Sequence, residues 1–358
     1  MKKIISILFC LIIIIASVVV YFFYPEFFDK QVAKVKAMYY VQKGDEAYRL
    51  WHYNKAIQNY DYALLLYPEH FSAWYNLGNI YVAYEDYYSA VDAYEKAIEH
   101  NPKYIEARMN YGIVSTEKLG DFDGAIAQYD EILNVKRRFL SIPFVYDNRK
   151  STKINKGLAN YNKGVAYKQK SIYSTESDLY KNRYLFNAKE AYEKAIKVLK
   201  KDYDTRYNLA LTYHLLGEYH NAGLSYCKAI EIAPMEYEAH YNLAILLMHL
   251  KYYKESYLEL EKATTLITNS DGMSNRQMYV FDVMNEVTRL ILPETNMSAM
   301  IEHIDDEPMK MKGVTYVHGR LVATDELDKA IAKNLKTCGS RHIFVEEIDE
   351  DYVENYRH

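Results

Sequence analysis

The stretch FSAWYNLGNIYVAYEDYYSAVDAYEKAIEHNP, Phe71 to Pro102, decides how the rest of the chain is read. Its markers are Trp74, Leu77, Gly78, Tyr81, Ala90, Tyr94, Ala97 and Pro102. Thirty-four residues earlier stand Gly44, Ala56, Tyr60, Ala63 and Pro68, and thirty-four residues later Asn110, Tyr111 and Gly112 fall where this stretch has Asn76, Leu77 and Gly78. A sustained period of this length belongs to a helix-turn-helix unit that buries its apolar face only by stacking on copies of itself. Length therefore does not count domains here, because such an array grows by adding units.

With this period, the markers closely resemble the tetratricopeptide repeat (TPR) family. The resemblance implies an all-α fold, a superhelical solenoid of about six repeats over residues 37–270, that acts as a binding scaffold. The first repeat covers 37–70 and the second, 71–104, is the fullest copy. The third, 105–138, keeps its opening but carries Ala125 one residue late, and Gly120 and Gly124 are expected to absorb the extra residue. From Asn134 to Lys156 the array loosens into an insertion bearing Lys136, Arg137, Arg138, Arg149, Lys150, Lys153 and Lys156 against the one acid Asp147. The fourth repeat, 157–202, restarts with Tyr161, Asn162, Gly164 and Tyr167, but Ala188, Tyr192 and Ala195 arrive about twelve residues late, with Ser171 to Asp178 as the expected bulge. Register returns in the fifth and sixth repeats, 203–236 and 237–270. A break at Asn269 to Gly272 closes the array. Residues 271–311 are read as capping helices, the first over 275–292 and ended by Pro293, with a second near Ser298 to Ile304. The tail, 312–358, reads as a small α/β unit: a strand over Val314–Val322, a helix over Asp325–Lys336 and a strand over His342–Ile348.

At the other end, Ile4 to Phe23 form 20 residues without a charge, about 30 Å of helix and so the thickness of a bilayer's hydrocarbon core. The apolar run continues past the point at which a cleavable signal would end, so it is read as an uncleaved signal anchor, followed by a linker over 24–36. The expected localisation is a single-pass protein of a bacterial inner (cell) membrane, the short N-terminus on the cytoplasmic side. The net charge of -4 argues against nucleic acid as a partner. The three cysteines, Cys10, Cys227 and Cys338, share no short spacing, so neither a disulfide framework nor a zinc site can be read from them, although Cys227 with Cys338 remains open as a pair.

In the family, the first helix of each pair lines a concave groove. Two residues before each repeat's glycine or alanine stand Gln42, Asn76, Asn110, Asn162, Asn208 and Asn242, and one residue earlier stand Val41, Tyr75, Met109, Tyr161, Tyr207 and Tyr241. An amide both donates and accepts, so a row of them can hold the backbone of an extended peptide, while tyrosines add flat apolar area. The candidate groove residues are Gln42, Tyr75, Asn76, Asn79, Asn110, Asn162, Tyr207, Asn208, Tyr241 and Asn242. The competing assignment gives these amides and tyrosines only the work of joining neighbouring helices. No zinc helix, nucleophile elbow or phosphate loop occurs, so no catalytic residue, metal or cofactor is expected. His214, His240 and His249 lie close enough in sequence to approach a common point. The expected partners are a protein or extended peptide and, through the N-terminal helix, a membrane; oligomeric state stays open. Two other classes compete with the scaffold: an enzyme or effector in the tail, with the repeats positioning its substrate, and a self-associating structural protein.

Overall fold

The computed structural model describes residues 11–13, 15, 18–19, 21, 25–135, 149–268, 275–291, 309–311, 314–317, 320–323 and 337–338. The chain divides into two compact units, Met1–Ala166 and Tyr167–His358.

The first unit stacks three helix pairs: α1 (Pro25–Arg49) with α2 (Tyr53–Leu66), α3 (Phe71–Ala83) with α4 (Tyr87–His100), and α5 (Ile105–Val114) with α6 (Phe122–Asn134). It also holds the start of α7 (Arg149–Tyr173). Residues 25–36 are helical, so the expected linker is the opening of α1. Pro25 suits that position, because the first turn of a helix needs no N–H from it. The extra residue of the third repeat is absorbed by a π turn at Ser115–Leu119, which ends at Gly120 with φ 69°. Gly124 serves the next helix instead. Its N–H bonds the capping carboxylate of Asp121 at 3.0 Å, and a Cβ there would collide with Asp121 Oδ2. Asp86 and Asp202 cap α4 and α9 in the same way, through Ser89 and Thr205.

In the second unit α8 (Asp178–Ile196) follows α7, then α9 (Tyr203–Leu215) pairs with α10 (Tyr219–Ile232) and α11 (Tyr237–His249) with α12 (Tyr253–Thr268). The late second helix of repeat four is accommodated by length rather than by a bulge over 171–178. Helix α7 has 25 residues, α8 has 19, and only 174–177 lie between them. Helix α13 (Asn275–Ile291) sets Val280, Met284 and Val287 against Leu260, Ala263 and Ile267 and covers the last pair. Strands β1 (Met309–Met311), β2 (Val314–Val317) and β3 (Arg320–Ala323) pair antiparallel in that order. The stretch expected as one strand over 314–322 is thus a hairpin, with β1 added before it. The expected helix at 325–336, the strand at 342–348, the helix near 298–304, most of the apolar run at 4–23 and residues 136–148 of the insertion lie outside the described residues. Among the described residues no helix is long and apolar enough to cross a membrane.

The repeat markers form the core. Tyr60, Tyr94, Tyr129, Tyr192 and Tyr226 are fully buried on the second helices. The rings of the first three lie against Gly44, Gly78 and Gly112, where a Cβ would stand 2.4, 2.5 and 2.6 Å from ring atoms. That close approach is why glycine recurs. The turns within repeats reverse through left-handed residues, two of them glycines and three of them Trp51, Glu85 and Lys251.

Candidate functional site: the amide row

The first helices carry the candidate residues at equivalent places. All are half-buried except Gln42, which is exposed. In repeat one the fully buried ring of Tyr60 ends in a hydroxyl that donates to Asp45 Oδ1 at 2.8 Å. The same oxygen accepts from Asn76 Nδ2, also at 2.8 Å, from the next repeat. Repeat two repeats the node with an amide in place of the acid: Asn79 Oδ1 accepts from Tyr94 Oη at 2.8 Å and from Asn110 Nδ2 at 3.0 Å. Asn110 also reaches the Tyr75 hydroxyl at 3.3 Å. Burial first, and then the bond to Asp45, pushes the Tyr60 hydroxyl far above its ordinary pKa, and burial does the same for Tyr94. Both hydroxyls therefore remain donors. A carboxylate can only accept, so the bond to Asp45 fixes which end of the Asn76 amide faces it.

Beyond repeat two the acceptor is missing. Ile113, Val165, Leu211 and Ile245 stand where Asp45 and Asn79 stood. Asn162 Nδ2 faces Met109 Sδ at 3.2 Å. Asn242 Nδ2 donates to the Tyr207 hydroxyl and to Glu238 O, each at 2.9 Å. The hydroxyl of Tyr226 is buried with no hydrogen-bond partner among the described residues. Tyr207 stacks on Tyr203 at 5.6 Å with their planes 10° apart. Burial, helped by Glu238, pushes its hydroxyl up to about 12. Asn208 donates to Asp204 O at 2.9 Å and accepts from Lys168 Nζ. Tyr241 packs against the cluster between α11, α12 and α13.

Asn76, Asn110, Asn162 and Asn242 thus join the preceding repeat through nitrogen, whereas Asn79 and Asn208 take part in such joints through oxygen. The carbonyl oxygens of Asn76, Asn110, Asn162 and Asn242 have no hydrogen-bond partner among the described residues. Joining repeats and presenting an acceptor are compatible roles, because an amide has separate groups for each.

Sequence profiles of the tetratricopeptide repeat match residues 71–104 and 203–234. The chain is a TPR protein. A further 92-residue match, 28% identical, is to the tetratricopeptide repeat-containing protein trd-1 of Caenorhabditis elegans. It covers 26% of this chain and 12% of that protein, so only a small part of the relative is spanned. Among solved structures, PilW, a widely conserved type IV pilus biogenesis factor, is similar with TM-score 0.50 at 17% identity, covering 68% of this chain and 97% of PilW. A tetratricopeptide repeat protein from Parabacteroides merdae ATCC 43184 gives 0.49 at 18%, covering 72% and 90%. At such identities the PilW likeness concerns the fold alone.

Within this TPR protein, sequence reading missed Asp45, Tyr60, Tyr94 and Lys168 as parts of the row. The signal was a separation of 31 residues, shared by Asp45–Asn76 and Asn79–Asn110, which a search at the repeat length of 34 passes over. The three histidines do not converge. His214 and His249 flank Tyr219, at ring separations of 5.9 and 5.0 Å. His240 instead binds the buried carboxylate of Glu259 at 2.5 Å, which also accepts from the exposed Lys262 and from buried Thr337. Cys227 and Cys338 are joined as a disulfide, with Cα atoms 5.5 Å apart.

Proposed function

We propose that this TPR protein is a membrane-anchored scaffold that holds an extended polypeptide along its amide row and has no catalytic activity of its own. The observation that carries the reading is the use of nitrogen for the joints made by Asn76, Asn110, Asn162 and Asn242. Each amide so held is already oriented, and its carbonyl is available to a backbone N–H of a partner. Orienting the acceptors before binding lowers the entropy that binding costs.

Anchoring is supported by the described part of the apolar run. Leu11, Ile12, Ile13, Ile15, Val18, Val19 and Tyr21 are helical and between 47% and 62% exposed, an apolar surface of the kind a bilayer covers. Tyr21 meets Phe28 edge to face at 5.2 Å, and Phe27 and Phe28 are exposed at the start of α1. Aromatic side chains of this kind suit the headgroup level of a bilayer. The Cys227–Cys338 disulfide favours placing the repeats on the oxidising side of the membrane, with the N-terminus in the cytoplasm.

The test is recovery of partners by the full chain in detergent, compared with a variant carrying Asn76→Ala, Asn110→Ala, Asn208→Ala and Asn242→Ala. Circular dichroism checks that the variant is folded. Loss of partners from the folded variant is expected, and equal recovery overturns the groove reading. Protease access in intact and in opened cells tests the sidedness.

A further inference from the structure

The turn between α1 and α2 reverses at Trp51, whose φ is 60°. The corresponding turns of the third and fifth repeats use Gly120 and Gly217. A left-handed backbone strains a bulky residue and suits glycine. Glu85 and Lys251 adopt the same conformation in other repeats, but they are long polar side chains that belong in water. Trp51 is apolar and 77% exposed, so neither the turn nor the core accounts for an indole at this place. A strained residue that packing does not explain marks a position kept for another purpose.

Further rings stand beside it. Trp51 meets Tyr53 at 6.0 Å with their planes 68° apart, and Tyr53 meets Tyr84, from the next repeat's turn, at 5.7 Å and 83°. Rings set so nearly at right angles leave notches between them. With His52, Asn54 and Lys55 they line an open depression of about 390 Å³, large enough for a ligand. Its polar groups are mostly donors. Tyr84 Oη donates to Asn54 Oδ1 at 3.1 Å, which engages that oxygen, while Asn54 Nδ2 and Trp51 Nε1 have no hydrogen-bond partner among the described residues. No carboxylate lines the site, so a ligand rich in hydroxyl donors, such as a sugar, is poorly matched. A polyproline II segment is well matched: its rings are apolar, its prolines have no N–H, and its carbonyls are not used within its own helix. One turn of that helix advances about 9 Å, and two ring steps of 6.0 and 5.7 Å are long enough to reach across it. The sequence has seven prolines, no two of them within three positions of each other, so it carries no such segment itself.

We propose that Trp51, Tyr53 and Tyr84 form a docking site for a proline-rich segment of a partner protein, held as a polyproline II helix. Prolines enter the notches between the rings, and Trp51 Nε1 and Asn54 Nδ2 donate to the segment's carbonyls. The site belongs to the turns of the first two repeats and shares no residue with the amide row, so it stands or falls independently of the groove reading.

The test uses the full chain in detergent micelles and two labelled peptides capped at both ends, one repeating Pro-Pro-Gln and one repeating Ala-Ala-Gln. Fluorescence anisotropy reads their binding. Wild type should bind the proline peptide about tenfold more tightly than the alanine peptide, or better. Trp51→Gly should remove that preference, because a central aromatic anchor carries much of the energy of such a contact. Its thermal midpoint should not fall, since glycine suits φ 60°. Lys251→Gly, which makes the same backbone change in the second unit, should bind as wild type does. Equal binding of the two peptides, a preference that survives in Trp51→Gly, or a lowered midpoint of that variant overturns the proposal. Failure of the proline peptide to bind overturns it too. If light scattering then shows wild type associating as its concentration rises and Trp51→Gly staying monomeric, the rings serve a second copy of this chain instead.

Discussion

Asp45→Ala isolates the joint between the first two repeats. It removes the oxygen on which Tyr60 Oη and Asn76 Nδ2 both converge at 2.8 Å, and leaves a fully buried tyrosine and a half-buried amide without their acceptor. Hydrogen bonds to a charged acceptor contribute about 1.5–3 kcal/mol each, and the lower half of that range applies to a node that is only half-buried, giving about 3–4.5 kcal/mol for the pair. In a stacked array the loss falls on one interface rather than on the whole chain. Hydrogen exchange is therefore the suitable assay. Amides of α1, α2 and α3 should exchange about a hundred- to two-thousand-fold faster, while those of α11 and α12 keep their rates. Asp45→Asn provides the internal control, because Asn79 makes the same node in repeat two with an amide oxygen. It should cost less than about 1 kcal/mol. A neutral Asp45→Ala, or an Asp45→Asn as damaging as the alanine, would refute the reasoning.

Gly78→Ala should destabilise the second repeat by about 1–3 kcal/mol, since a Cβ at 2.5 Å from Tyr94 Cε1 must displace a buried ring; thermal melting checks it. The pH dependence of the second unit should carry a contribution from Glu259. Burial by itself would raise its carboxyl, but bonds from His240, Lys262 and Thr337 outweigh that and hold it below the ordinary value of 4.5. A lowered folded pKa gives stability that is complete above that ordinary value and is lost as pH falls through the folded one, so acid titration should weaken wild type more than Glu259→Gln. Non-reducing peptide mapping should recover Cys227 linked to Cys338, and Cys338→Ser should lower stability by up to about 5 kcal/mol on chain-entropy grounds for a separation of 111 residues. Lys251→Gly should be neutral or stabilising by roughly 1 kcal/mol in denaturant melts, because φ 65° strains a side chain and suits glycine.

The repeat frame was legible because its markers are the residues that close packing demands. Gly44, Gly78 and Gly112 recur because Tyr60, Tyr94 and Tyr129 leave no room for a Cβ. Local geometry that can be met in several ways was less legible. One extra residue in repeat three could be taken up by glycines or by a π turn, and Ser115–Leu119 take it up. The additional length of repeat four went into α7 and α8 because both sequences can continue as helix. Val314 to Val322 alternates like one strand, but its register partners show a hairpin. The amides were found at the right places, yet their partners were not, since a joint between repeats links positions 31 residues apart. Cys227 and Cys338 could not be paired from spacing, because a separation of 111 residues carries no local signal.

The most direct test of the scaffold account is photo-crosslinking in intact cells from a benzophenone side chain placed at Tyr75, Tyr207 or Tyr241, with Tyr62 and Tyr180 as exposed controls away from the row. Protein adducts from the three row positions and few from the controls are predicted. Adducts at the controls alone, or equally from all five positions, would contradict the claim that the amide row is where this TPR protein holds its partner.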